Sequence, residues 1–184
     1  MSGLRLSLFE HPDGYETAAG ARVLYDVAAN EAHLGAARVE GRALRWEIGE
    51  HDVNGAKLST PIALDPSTEW VVRCDRVDFP PGGVAYRHVH PGPGIRCLLL
   101  GEIRIDSEGH SDCYKPFQAW FESGPEPVFA AGSPQVPTAF VRVLLLPREW
   151  EGKRTIRYVD PTDEEKPKTQ RATVFLEAPL ELSR

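Results

Sequence analysis

Two histidines, His88 and His90, stand one residue apart in the segment GGVAYRHVHPGPGIRCLLLG, residues 82–101, and they are the side chains best suited to chemistry. In a β-strand, residues i and i+2 face the same side, so both imidazoles should point into one space together with Tyr86. Imidazole is the commonest neutral metal ligand, and a His-x-His pair on one strand can supply half of a metal site. The segment therefore predicts a polar centre built on one strand.

Short apolar segments must position that strand. Proline and glycine, 16 of each, divide the chain in the way that is typical of a β-sandwich or barrel. The predicted strands are Leu4–Phe9, Arg22–Asp26, Ala43–Ile48, Trp70–Asp78, Val84–His90, Ile95–Leu100, Glu102–Asp106, Ala119–Glu122, Pro127–Ala130 and Ala139–Leu146.

Helix signals are scarce. Asp65-Pro66-Ser67-Thr68 could form one turn, and a short helix could begin at Asp160-Pro161. Residues 107–110 predict a hairpin turn in which His110 is solvated.

Composition excludes several classes of function. The 184 residues carry a formal charge of −6 with a pI near 5.5, which disfavours nucleic acid as a partner. No segment has the length and apolarity to span a bilayer, and the N-terminus lacks the apolar run of a signal peptide. Three cysteines without CxxC spacing predict buried, reduced thiols. We therefore expect a cytoplasmic protein that does not bind membranes.

Three regions follow from turn and charge patterns. Residues 1–65 predict N-terminal strands and loops that pack on a barrel at 66–147, and residues 148–184 predict a C-terminal arm. The arm holds the charged run 163–168 and then an apolar patch at 172–176. That patch must be buried on its own barrel or on a second subunit, and the sequence slightly favours the second subunit, hence a homodimer.

The region from Val71 to Pro147 resembles the cupin superfamily, a double-stranded β-helix or jelly roll. The first motif of that family is a glycine, five residues, His-x-His, three or four residues, a glutamate, six residues and a glycine. Gly82, His88, His90 and Gly101 match this spacing, and Gly94 stands at the glutamate position. The resemblance implies an all-β barrel with a site at the two histidines.

The second motif of the family matches more weakly. Gly124 can be its glycine, which places Glu122 at the proline position, Pro127 at the histidine position and Ala131 at the asparagine position. The resemblance implies a divalent ion, Fe, Mn, Zn or Ni, on His88 and His90, with Glu122 as a substitute carboxylate ligand. The alternative is that both histidines form hydrogen bonds in a polar pocket without a metal.

Arg96 and Tyr86 are the candidate ligand-binding residues. Arg96 lies two residues after Gly94 on the same predicted strand, so its side chain should point inward beside the histidines. A buried guanidinium needs a partner, which is either a protein carboxylate (Glu122 or Glu126) or an anionic ligand. Tyr86 is either a donor in the pocket or part of the core.

Three functions are compatible with these residues. The first is a metal-dependent enzyme that acts on a small anionic substrate at His88 and His90. The second is a non-catalytic barrel that binds or senses a small ligand after loss of the full metal site. The third is an oligomerisation scaffold. Because one fold serves many functions, the sequence does not name the substrate.

Overall fold

The computed structural model of the protein describes residues 3–107 and 109–182. Nearly all of its regular structure is β-strand. The N-terminal strands are β1 (Arg5–His11), β2 (Tyr15–Thr17), β3 (Arg22–Asp26), β4 (Glu31–Leu34), β5 (Ala37–Val39), β6 (Ala43–Gly49) and β7 (Leu58–Pro61). The following strands are β8 (Trp70–Phe79), β9 (Val84–Val89), β10 (Gly94–Leu100), β11 (Ile103–Ser107), β12 (His110–Tyr114), β13 (Ala119–Glu122), β14 (Val128–Gly132) and β15 (Thr138–Pro147). The arm contains β16 (Arg157–Tyr158) and β17 (Arg171–Pro179).

Strands β8 to β15 form a jelly roll. Their order is β13-β10-β15-β8 in one sheet and β12-β11-β14-β9 in the other, and neighbouring strands in each sheet pair antiparallel. This order interleaves two Greek keys, which is the defining topology of the double-sheet jelly roll. The predicted fold class is confirmed.

A third sheet covers the barrel on one side. The N-terminal sheet has the order β4-β3-β6-β1-β7, and its inner residues pack on the outer face of the sheet that contains β8 and β15. Strand β8 shows how: Val72 and Cys74 face the N-terminal sheet, whereas Arg73 and Asp75 face the barrel interior. Trp46 of the N-terminal sheet forms a hydrogen bond to the middle sheet, since its Nε1 atom donates to the Ile95 carbonyl at 3.1 Å. The middle sheet is therefore buried on both faces.

The C-terminal arm folds back on its own barrel. Strand β17 pairs antiparallel with β8 and extends the middle sheet, and the Phe175 ring lies 5.7 Å from the Tyr25 ring. Phe175 and Leu176 of the apolar patch are thus partly covered within one chain, whereas Ala172 and Val174 stay exposed. The second subunit that the sequence slightly favoured stays a prediction. Strand β16 extends the opposite sheet by pairing with β9, so the arm contributes an edge strand to both sheets.

The ten predicted strands are all present, with ends within two residues of the prediction. The predicted hairpin is also present, since Ser107 pairs with His110, while Glu108 lies outside the described residues. Residues 161–164 form the predicted short helix as a 3-10 turn capped by Asp160. A second 3-10 turn lies at Arg148–Trp150. Among the described residues, no helix is long and apolar enough to cross a membrane.

The cysteines depart partly from the prediction. All three thiols are free, and Cys74 and Cys97 are buried in the packing between the N-terminal and middle sheets. Cys113 is exposed, because β12 is an edge strand of its sheet.

Candidate ligand-binding site

A cavity of about 400 Å³ lies between the two sheets of the jelly roll. Its apolar wall comes from alternate residues of the barrel strands and includes Val77, Phe79, Ile105, Trp120 and Phe140. Its polar wall contains His88, His90, Glu122, Asp75 and Arg142. The size and the mixed lining are those of a small-molecule site.

Both histidines reach this cavity, but not by simple alternation along β9. The pairing of β9 with β14 shifts register between the pairs Val128–His88 and Ala130–Ala85, so β9 contains one extra residue at Tyr86–Arg87. Such a bulge changes which residues face inward, and Ala85 and His88 therefore both line the cavity. His90 follows the end of β9, where its backbone amide donates to the Gly124 carbonyl at 2.7 Å.

The bulge directs Tyr86 away from the cavity, so the predicted position of Tyr86 beside the imidazoles is wrong. Its ring lies 6.5 Å from that of Tyr158 and 4.8 Å from the Lys166 ammonium, and it is not among the described residues that line the cavity. Only its backbone takes part in the site, through its carbonyl oxygen.

The two imidazoles are in direct contact. His88 Nδ1 lies 2.7 Å from the Tyr86 carbonyl oxygen, and His88 Nε2 lies 3.2 Å from His90 Nε2. Because a carbonyl only accepts, His88 Nδ1 carries a proton, and the Nε2 atom of neutral His88 is an acceptor. The rings meet edge to face at 86°.

Burial keeps both histidines neutral at neutral pH. Desolvation lowers the pKa of His88, against the opposing effects of Glu122 and of the Tyr86 carbonyl. Desolvation lowers the pKa of His90 well below its usual value, and the charge of Arg142 acts in the same direction. The pair is therefore a source of neutral hydrogen-bonding groups.

Arg96 is fully buried behind the cavity wall. Its Nη2 atom lies 2.6 Å from Glu122 Oε2, and its Nη1 atom donates to the Gly94 carbonyl at 2.7 Å. Of the two partners that the sequence allowed, the structure has the protein carboxylate. Burial lowers the pKa of Arg96 to about 10, against the effect of Glu122, so the guanidinium is charged at neutral pH.

Gly94 explains how the guanidinium fits. A Cβ atom at this position would lie 2.5 Å from the Val143 carbonyl oxygen and 3.0 Å from Arg96 Nη1. The position that holds a glutamate in the family motif is thus closed to any side chain, and the arginine two residues later takes the space beside it.

Sequence reasoning missed two further buried ion pairs. Arg142 of β15 donates from Nε to Asp75 Oδ1 at 2.6 Å, and its Nη1 lies 3.4 Å from His90 Nε2. Arg73 pairs with Glu177 of the arm, and it also donates to the carbonyls of residues 150 and 153. The signal was present in WVVRCDRVD, where Arg73 and Asp75 share the face of β8 that a sandwich core would fill with apolar residues.

The donor set does not fit the metal site that the resemblance implies. The two Nε2 atoms are close enough to share one ion, but Glu122 Oε2 is 3.8 Å from His90 Nε2 and is held by Arg96, while Glu122 Oε1 accepts from Trp120 at 2.8 Å. Arg142 adds a second permanent cation beside His90. Within residues 3–107 and 109–182, no three His, Cys, Asp or Glu side chains form a group suited to a metal.

Comparisons with known proteins give structural similarity only. No family model and no curated protein matches the chain. An oxalate oxidase in complex with glycolate is similar with a TM-score of 0.38 and 19% identity over 43% of this chain and 47% of that one, so the similarity spans less than half of the oxidase. An RmlC-like cupin from Shewanella frigidimarina is similar with a TM-score of 0.39 and 14% identity over 48% of this chain and 92% of that one.

The polyketide cyclase RemF from Streptomyces resistomycificus is similar with a TM-score of 0.40 and 19% identity, over 52% of this chain and 64% of that one. These similarities are too weak to carry an activity over to this chain. The strand order within each sheet does not depend on them. By that order, the chain has a jelly-roll barrel fold.

Proposed function

We propose that this protein binds a small organic molecule inside the jelly roll without a metal ion, using His88 and His90 as its polar contact. The observation that carries this proposal is a pair of buried, neutral imidazoles on the wall of a 400 Å³ cavity that is otherwise largely apolar. A few fixed polar groups in an apolar cavity are what orient a small ligand.

The imidazole pair suits an uncharged polar group. His88 Nε2 is an acceptor because the proton of this ring is on Nδ1, so it can accept a hydrogen bond from a hydroxyl group of the ligand. The charged groups nearby are already paired, with Arg142 on Asp75 and Arg96 on Glu122. The rest of the ligand would replace water along the aromatic wall, where burial of apolar area supplies most of the affinity.

This proposal can be tested by a substitution that fills the cavity with a larger side chain. Ala130 and Ala131 are neighbours on β14, but only Ala130 lines the cavity. Phenylalanine at position 130 should abolish the binding of small hydroxylated aromatic compounds in calorimetric titrations, and A131F, the matched control, should bind as the wild type does. If A130F binds these compounds with wild-type affinity, the cavity is not the site.

A metal-dependent enzyme at His88 and His90 is the competing function. One observation favours it: the Nε2 atoms lie 3.2 Å apart, a separation that two ligands of one ion can have. The positive charges of Arg142 and Arg96 oppose it, since a divalent cation at that point would face both. Metal analysis separates the two functions.

Self-association and location in the cytoplasm remain proposals from the sequence. The partial covering of the apolar patch by its own barrel weakens one reason for a dimer, but β17 is still an edge strand with Val174 half exposed. Light scattering on purified protein measures the oligomeric state directly, and a monomer would end both the homodimer proposal and the scaffold hypothesis.

A further inference from the structure

The mouth of the cavity is positively charged, although the protein as a whole is acidic. Lys153, Arg154 and Lys168 are exposed residues of the arm that also line the cavity. Arg154 is paired with Glu164 at 2.6 Å. Within residues 3–107 and 109–182, neither Lys153 nor Lys168 forms an ion pair, although the Lys168 ammonium donates to the Glu164 carbonyl and lies 5.3 Å from the Tyr158 ring. The mouth therefore carries two lysine charges without a paired carboxylate, on a chain with a net charge of −6.

The interior has no spare positive charge. Its three buried guanidiniums, on Arg73, Arg96 and Arg142, are each paired with a carboxylate, on Glu177, Glu122 and Asp75 respectively. A ligand anion placed among these pairs would be buried without a counter-charge, which is unfavourable. An acidic ligand group therefore belongs at the mouth, where the lysines and the solvent can both reach it.

The cavity also has an apolar wall. This wall includes Phe79, Phe140 and Ile105 of the barrel, and Ala172 and Val174 of β17 extend the apolar surface along the arm. A ligand that enters past the lysines and fills the cavity must cover this wall with a hydrophobic body.

We infer that the ligand is an amphipathic organic acid, with its acid group held at the mouth by Lys153 and Lys168 and its apolar body inside the barrel. This inference rests on the proposed function and specifies its ligand class. The lysines would also draw such anions toward the cavity, because an exposed positive patch on an acidic protein concentrates anions locally.

The test compares an acid with its neutral amide. 4-Phenylbutyrate and 4-phenylbutanamide have nearly the same shape and differ in charge, and calorimetric titration measures the affinity of each. We expect the wild type to bind the acid about tenfold more tightly than the amide at low salt, and the advantage should shrink at about 300 mM salt because of screening.

The variants locate the charge that matters. In the double variant K153Q/K168Q, the acid should lose its advantage while the affinity for the amide stays unchanged. The control is K115Q, which removes one exposed lysine that does not line the cavity, and it should keep the acid preference. Melting temperatures of all variants report whether the fold is intact.

The outcomes separate this inference from the proposed function. Equal affinity for acid and amide in the wild type, or an acid preference that survives in K153Q/K168Q, would overturn the inference while leaving the cavity as a binding site. Failure of both compounds to bind the wild type would overturn the inference as well, and if the hydroxylated aromatic compounds also fail, the proposed function falls with it.

Discussion

At the scale of single residues, the barrel interior is unusual in how many charged side chains it buries. Arg96 has no exposed surface, and Asp75 and Arg142 are 1% and 5% exposed. Removal of one member of such a pair leaves the other charge buried and alone, which costs far more than the pair contributes. The ion pairs thus fix the shape of the polar wall.

The Arg96–Glu122 pair gives a stability prediction. R96M should lower the free energy of unfolding by about 3–5 kcal/mol, because Glu122 would lose its charged partner. In R96M/E122Q much of this loss should be recovered. The control is R104M, which breaks an exposed ion pair with Asp106 and should lower the free energy of unfolding by less than about 1 kcal/mol. Urea unfolding measures all three, and a cost for R96M as small as that for R104M would contradict the account.

The histidine pair gives a pH prediction. Folding lowers the pKa of both histidines, so the unfolded chain takes up protons more readily as the pH falls through the ordinary histidine pKa of 6.5. The stability contributed by these neutral histidines is complete above that pH and is lost as the pH falls, by at most about 1.4 kcal/mol per pH unit for each histidine. H88N/H90N should show a shallower loss between about pH 7 and pH 5 in urea unfolding. Equal slopes for the variant and the wild type would show that the histidines are not buried neutral.

At the scale of elements, one bulge and one glycine, Gly94, decide what the site contains. Alternation along β9 predicted Tyr86 beside His88, and the extra residue at 86–87 reversed that placement. The strands themselves could be predicted, since their apolar segments are bounded by glycine and proline. The bulge could not, because it depends on the register against β14, which no local pattern in β9 contains.

Gly94 gives an element-scale prediction. A Cβ atom there would lie 2.5 Å from the Val143 carbonyl oxygen and 2.6 Å from Leu144 Cδ2. G94A should therefore lower the free energy of unfolding by about 2 kcal/mol or more. G41A is the matched control, because no atom lies within 4 Å of a Cβ atom at that position. G94E, which restores the family glutamate, should be still less stable and should not create a metal site. If G94A melts at the same temperature as G41A, β10 and β15 can move apart to admit the Cβ atom at little cost, and the prediction is wrong.

At the scale of the whole molecule, the two sheets of the jelly roll and the arm enclose the ligand cavity. The N-terminal sheet buries the outer face of the middle sheet, and the arm supplies the lysines of the mouth. The sequence predicted the barrel, the extra N-terminal strands and the arm, and it allowed the Arg96–Glu122 pair as one of the alternatives for the partner of Arg96. It missed Arg142 and the arm's part in the cavity, because both depend on contacts between residues far apart in the chain: Arg142 pairs with Asp75, and β17 pairs with β8.

The central claim is that the imidazoles of His88 and His90 serve a ligand and not a metal. Elemental analysis of untagged protein, purified without chelator, tests it most directly, with H88A/H90A as the comparison. We predict far less than one equivalent of Fe, Mn, Zn or Ni per chain in the wild type, and no difference between the two proteins. One equivalent in the wild type that disappears in H88A/H90A would contradict the account and establish a metal centre at the two imidazoles.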